Sequence, residues 1–198
     1  IVFSKEEVYQ SDIIVKIEPP TKSELKLLKK GQQLISAIQL KTRDKEYFDT
    51  LLKKNITSLA IEKIKDKEGK LSLLRCMGEI AGTTSLLIAS EYLSNVNEGK
   101  GLLLGSITGV SPTDIVIIGA GTVGEFAART AIGLGANVRV FDNSLSRLRR
   151  LQQSLNQRIS TSTIQPKSLR KALMRADVAI GALRTGEGRT PCVVSDEM

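Results

Sequence analysis

Apolar residues in this chain form short clusters set between longer stretches in which apolar and polar positions alternate with a helical period. The first cluster, IIVKI at 13–17, is stopped by Pro19 and Pro20 and predicts a strand. Thr21 with Glu24 three residues on makes a capping-box pattern, Leu25 and Leu28 supply an apolar face, and Gly31 ends the segment, so a helix is expected next. QLISAIQL at 33–40 predicts a second strand, RDKEYFDTLLKKN a second helix, and TSLAIE a third strand before the charged turn KDKEGK. Strand, helix, strand, helix, strand implies parallel pairing with right-handed crossovers.

The longest helical pattern, GEIAGTTSLLIASEYLSN at about 77–95, lies between two differently composed halves and predicts a bridging helix. A glycine-rich connection, EGKGLLLGSITGVSP, leads through Pro112 into DIVII at 114–118, a continuous apolar run of the kind found in strands buried on both faces. Further on, Leu145, Leu148, Leu151 and Leu155 form one helix face. A short strand is expected near 158–161, a helix over 168–175 and a strand DVAIGA from Asp177. The fold class that follows is α/β: two Rossmann-like domains with parallel sheets, 1–84 and 85–198, joined by the long helix. The second sheet, with four strands where a full nucleotide-binding sheet commonly has six, is read as truncated. On that ground, and because the sequence begins at Ile1, material is expected before Ile1 and beyond Met198.

The segment VIIGAGTVGEFAARTAIGLGANVRVFD carries Gly119, Gly121 and Gly124 in G-x-G-x-x-G spacing, directly after the buried strand and opening a helix. Gly119 allows a tight turn, Gly121 lets a pyrophosphate approach the backbone, and Gly124 lets helix and strand pack closely. Phosphates would sit on the backbone of Gly119, Ala120, Gly121, Thr122 and Val123, at the positive end of the helix dipole. Asp142 closes the next strand 23 residues after Gly119, with Asn143 beside it. A carboxylate there accepts hydrogen bonds from both hydroxyls of an adenosine ribose and repels a 2′-phosphate, so NAD is favoured over NADP. Arg147, one turn into the following helix, either approaches the adenosine or, with Arg149 and Arg150, forms solvated surface. Ala182 and Leu183 lie at the carboxyl end of the last strand, where open α/β sheets place their ligands.

Composition narrows the chemistry. The chain of 198 residues has no histidine, which excludes Ser/His/Asp and Cys/His catalysis and histidine-ligated metals within it. Two distant cysteines, Cys76 and Cys192, make neither a disulfide framework nor a metal site, so a reducing, cytoplasmic setting is expected and no metal. Net charge is +8, but residues 1–84 carry 16 basic and 12 acidic side chains and residues 85–198 carry 13 and 9. Charges so mixed argue against a nucleic-acid partner. No apolar run approaches the ~18 residues that span a bilayer.

SDIIVKIEPP, the GEIAG helix, GKGLLLGSITGVSP, the VIIGAGTVG turn with Asp142, and ADVAIGALRTGEGRTPCVVSDEM together resemble the alanine dehydrogenase and nicotinamide nucleotide transhydrogenase family over nearly the whole chain. The resemblance implies an NAD-dependent oxidoreductase, a homo-oligomer, with a first domain for an amino or keto acid, a second for NAD(H), and a cleft between them. Alanine dehydrogenases hold pyruvate with a lysine in a K-x-K-E-P strand end and use a histidine after the next strand. Here the first lysine is kept as Lys16, Glu18 stands at the substrate lysine and Gln39 at the histidine. A carboxylate at that place repels a substrate carboxylate by ~4 kcal/mol at 4 Å and an effective dielectric of 20. Glu18 and Gln39 are therefore the candidate cleft residues, at or near the ends of two parallel strands, with Glu18 suited to a substrate cation. Solvated strand ends are their other reading.

Two alternatives accompany the dehydrogenase reading. One is the NAD(H)-binding domain of a proton-translocating transhydrogenase, which also lacks the lysine and histidine and is the only reading with a membrane partner. The 35 residues from Asp142 to Asp177 are filled by two helices and a strand, leaving no room for that branch's long loop. The other is an NAD-binding protein without turnover.

Overall fold

The capping-box pattern at Thr21, the buried run at 114–118 and the glycine turn each become an element of the computed structural model, which describes residues 1–183, 190, 192–196 and 198. Residues 184–189, 191 and 197, all within the terminal segment that bears part of the family resemblance, lie outside the described residues. The chain divides into two units, Ile1–Leu74 and Arg75–Met198.

In the first unit a short helix α1 (Lys5–Val8) precedes β1 (Ile13–Val15), α2 (Lys22–Leu27), β2 (Gln33–Ser36), α3 (Lys45–Lys53) and β3 (Thr57–Ala60). The sheet is parallel in the order β1-β2-β3, pairing Ile14 with Leu34 and Leu34 with Ser58. Thr21 and Glu24 cap α2 reciprocally, as their spacing predicts, and Asp44 caps α3 by accepting from Tyr47 N. The far end of α2 is closed by Lys54, whose Nζ donates to the carbonyls of Leu25, Lys26 and Leu28, a cation where the helix dipole is negative. Ile14, Leu25, Leu28, Leu34, Ile38 and Leu51 form the core with Tyr9 and Tyr47.

In the second unit the order is α4 (Ser72–Leu93), β4 (Asp114–Ile118), α5 (Thr122–Gly133), β5 (Asn137–Phe141), α6 (Leu145–Ser154), β6 (Ser160–Ser162), α7 (Pro166–Leu173) and β7 (Val178–Gly181). All but the first three residues of α4 belong here, so the helix read as a bridge packs as part of this unit. Its sheet is parallel, β6-β5-β4-β7, the order of one doubly wound half plus the first strand of the next. Ile115 and Ile117 point into one core with Ala127, Ala131 and Leu148, whereas Val116 and Ile118 point into another with Phe141, Leu169 and Ala172. Both faces of β4 are thus covered, which is why its sequence shows no alternation. Among the described residues no helix is long and apolar enough to cross a membrane.

Several boundaries differ from the sequence reading. β1 stops at Val15 and β2 at Ser36 rather than running through 17 and 40, although single ladder bonds continue from Lys16 N to Ile35 O and from Ala37 N to Ile17 O. Beyond them the backbone N–H groups of Ile38 and Gln39 go to the Glu62 side chain instead of to a strand. Helix α1 was not anticipated. It buries none of its residues and stands on its cap, Ser4 accepting from Glu7 N, so it leaves no apolar period to read. On α6 only Leu148 and Leu151 are buried; Leu145, the first helical residue, is exposed, and Leu155, just past the helix, is partly buried against the same core.

Candidate functional site: the glycine turn and the carboxyl edges of two sheets

The turn after β4 is held by contacts that only glycine permits. Gly119 has φ 121, in the region that favours glycine, and a Cβ there would lie 2.5 Å from Ala182 O. At Gly124 a Cβ would fall 1.8 Å from Gly119 O, so the first turn of α5 rests directly on the loop that precedes it. Gly121 is different: its φ is −80 and nothing lies within 4 Å of where its Cβ would be. Open space therefore faces the one glycine expected to admit a phosphate, at the start of a 12-residue helix that no side chain caps.

Two of the five expected phosphate-facing N–H groups are already committed. Gly119 N donates to Phe141 O at 2.6 Å and Ala120 N to Asp142 Oδ2 at 2.8 Å. Among the described residues no such bond engages the N–H groups at the uncapped helix end, those of Gly121, Thr122 and Val123. Thr122 and Val123 are themselves set by α4. A Cβ on Gly82 would come 2.4 Å from Val123 O and 2.9 Å from Ala127 N, and one on Gly78 would meet the Thr122 side chain at 3.2 Å. The glycine pair of the GEIAG motif lets α4 lie against the first turn of α5, a role that sequence reading assigned to neither residue.

Asp142 is 3% exposed, and its carboxylate also accepts from Ser144 N at 2.7 Å, with Arg147 Nη1 at 3.7 Å. An ionised carboxylate offers roughly four lone-pair positions, so two remain beside the backbone donors. Asn143 is exposed and its Oδ1 accepts from Ile164 N at 3.1 Å, tying the end of β5 to the segment before α7. Ala182 and Leu183 follow β7 as the sequence predicts, and Ala182 O closes over Gly119. The glycine turn, Asp142, Asn143, Arg147, Ala182 and Leu183 thus gather at the carboxyl edge of one sheet.

In the first unit, Lys16 is not free to act on a ligand: Nζ lies 2.7 Å from Oε2 of the buried Glu24, which Lys5 also approaches at 3.3 Å. The Lys16 hydrogen bond, then that from Thr21 N, hold the Glu24 carboxyl down at about 2. The capping box locates Thr21 and Glu24 in the sequence and the family pattern marks Lys16, but the pairing of Lys16 with Glu24 is seen only in the fold. Glu18 is exposed in a bend after β1, and Gln39 is exposed three residues after β2, with φ 53. Ala37 N donates to Ile17 O, so the two chain segments run side by side up to the residues that bear the candidate groups. Among the described residues no group of three His, Cys, Asp or Glu is placed to hold a metal ion.

The family comparisons also give two parts, with their boundary inside α4 rather than near its start. The model described as "Alanine dehydrogenase/PNT, N-terminal domain" matches residues 1–81 and the corresponding C-terminal domain model residues 85–198. The chain is 35% identical to an alanine dehydrogenase of Methanococcus maripaludis over all of its own length and 53% of that protein's. It is 36% identical to an alanine dehydrogenase of Mycolicibacterium smegmatis over 99% of its length and 53% of that protein's. A solved L-alanine dehydrogenase superposes with a TM-score of 0.85 at 32% identity, covering 99% of this chain and 54% of the other. A transhydrogenase from Sinorhizobium meliloti shares the fold at a TM-score of 0.73 and 18% identity, over 91% and 52% of the two chains. The chain spans about half the length of the relatives it matches. With both domain models matched and the glycine turn, its carboxylate and the two parallel sheets in place, the chain belongs to the alanine dehydrogenase/PNT family.

Proposed function

We propose that the protein is an NAD(H)-dependent oxidoreductase that transfers hydride between a nicotinamide carried by the second unit and a small amino or keto acid. The observation that carries this reading is the open approach to Gly121 at an uncapped helix end, with Asp142 closing the adjacent parallel strand. The N–H groups of Gly121, Thr122 and Val123 would hold the pyrophosphate, and Asp142 the adenosine ribose through its remaining lone pairs. Asn143, Ala182 and Leu183 would line the nucleotide on either side. Arg147, half-exposed beside Asp142, would lie against the adenosine, where its charge tempers the preference against a 2′-phosphate. When bound, the nicotinamide supplies or accepts the hydride.

For the acid, Glu18 and Gln39 stand at the carboxyl edge of the first sheet. Glu18 would pair with a cationic group of the substrate rather than with a carboxylate. Gln39 would hydrogen-bond an oxygen without transferring a proton, since an amide does not titrate near neutrality. Proton transfer then falls to water or to a group of the full-length protein. Exposed Ile80, Leu87 and Tyr92 on α4 are in keeping with a homo-oligomer.

The decisive assay supplies the full-length protein with NADH, ammonia and a panel of keto acids, including ones with a distal ammonium or guanidinium. Turnover at about 1 to 1000 per second supports the enzyme. NADH binding with no turnover on any acid leaves the second reading, a nucleotide-binding protein, which the lack of any histidine in the chain favours.

A further inference from the structure

Gln39 holds a backbone conformation that side chains rarely adopt, and it is held from both directions. Its φ is 53 in a non-glycine residue, a strained conformation that persists only where the surroundings impose it. On the amino side, Glu62 reaches back from the 3₁₀ turn Ile61–Lys63 that follows β3. Its Oε1 accepts from Gln39 N at 2.7 Å, and both of its oxygens accept from Ile38 N at 3.1 Å. Successive N–H groups converging on one anion make a backbone nest, here filled by the chain's own carboxylate. On the carboxyl side, Gln39 O accepts from Thr42 N at 2.9 Å and from Thr42 Oγ1 at 3.2 Å.

The side chain is fixed too. Arg43 Nη2 donates to Gln39 Oε1 at 3.3 Å, and its guanidinium lies 5.8 Å from the centroid of the buried Tyr47 ring. Arginine has no acceptor, so the carboxamide must turn its oxygen to Arg43 and leave its two N–H groups facing away. A glutamine that would otherwise present either end is thereby set as a donor.

We propose that Glu62 is a positioning residue: it fixes the 37–43 turn so that the Gln39 carboxamide offers its N–H groups to an acceptor oxygen of the acid substrate. The inference rests on the first unit being the acid-binding unit. It adds a specificity element, with Gln39 selecting substrates that carry a carbonyl or carboxylate oxygen at that place and Glu62 acting only through the turn.

The test titrates the full chain and its Glu62→Ala, Glu62→Gln, Gln39→Ala and Gln39→Gly variants with pyruvate and with a cationic keto acid. Amide hydrogen exchange at Ile38 and Gln39 is followed in parallel, with NADH affinity as the control for folding. Glu62→Ala should speed exchange at both amides and weaken keto-acid binding by about tenfold, the scale of one lost hydrogen bond, to the level of Gln39→Ala. Glu62→Gln keeps an acceptor oxygen and should largely restore both readouts. Gln39→Gly takes positive φ freely, so it should keep the slow exchange yet lose acid affinity. NADH affinity should be unchanged throughout. Unchanged exchange in Glu62→Ala overturns the positioning role, and unchanged acid affinity in both Gln39 variants overturns the donor role. If the unmutated chain binds no keto acid, the acid-binding reading falls and takes the donor role with it, while the exchange data still decide whether Glu62 holds the turn.

Discussion

Ala120 donates its backbone N–H to the carboxylate of Asp142 at 2.8 Å, so the residue expected to receive a ribose also ties the end of β5 to the glycine turn after β4. The same carboxylate accepts from Ser144 N at the start of α6. Asp142 therefore has a structural role beside the nucleotide-binding one proposed for it. Hydrogen bonds to a charged partner are worth about 1.5–3 kcal/mol each, so Asp142→Ala should destabilise the second unit by about 3 kcal/mol or more. Asp142→Asn, which keeps one acceptor oxygen, should fall between the two. Denaturant unfolding measures this; an Asp142→Ala variant as stable as the parent contradicts the tether.

Two glycines of the turn and one of α4 should respond differently to a single added methyl. Gly124→Ala places a Cβ against Gly119 O and should prevent normal packing of α5 on the loop. Gly82→Ala must push α4 away from Val123, an overpacking penalty of about 1–3 kcal/mol. Gly121→Ala has both room and an ordinary φ, so it should fold with the stability of the parent while losing nucleotide affinity, because the new methyl stands where a phosphate approaches. Thermal unfolding paired with nucleotide titration separates these outcomes.

Acid and alkali should weaken the first unit through different groups. The Lys16 hydrogen bond and the Thr21 backbone lower the Glu24 carboxyl from 4.5 to about 2. Its contribution is present above pH 4.5 and is lost as pH falls towards 2. Burial, then the charges of Glu24 and Tyr47, raise the Tyr9 phenol from 10.0 to about 12, so its contribution is present below pH 10 and is lost as pH rises through 12. Urea unfolding across pH should show both limbs. Lys16→Met should shrink the acid limb and leave the alkaline one; an acid limb of the same size in that variant contradicts the pairing.

How much of this was legible in the sequence depended on distance along the chain. The Thr21 and Glu24 cap, the buried run of β4 and the glycine spacing are local patterns whose physics needs no partner, and they appear as expected. Glu62 escaped notice because it acts 23 residues from Gln39 and looks like one more charge in a lysine-rich turn. The strand expected over 33–40 ends at Ser36 for the same reason: its apolar letters continue, but a remote carboxylate takes the N–H groups of Ile38 and Gln39. Asp142 was found by spacing, yet its bonds to Ala120 and Ser144 depend on how two strands sit side by side. Gly78 and Gly82 were visible as a four-residue interval, a sign of close helix approach whose partner only the fold supplies.

The central claim is that the turn at Gly119–Gly121–Gly124 with Asp142 binds NAD(H), and nucleotide calorimetry on the full-length protein tests it most directly. NADH should bind at least about tenfold more tightly than NADPH, a difference of ~1.4 kcal/mol set by the carboxylate against the 2′-phosphate. Asp142→Ala should narrow that gap and Arg147→Ala should widen it. Equal affinity of the unmutated protein for NADH and NADPH, or binding of neither, would contradict the account.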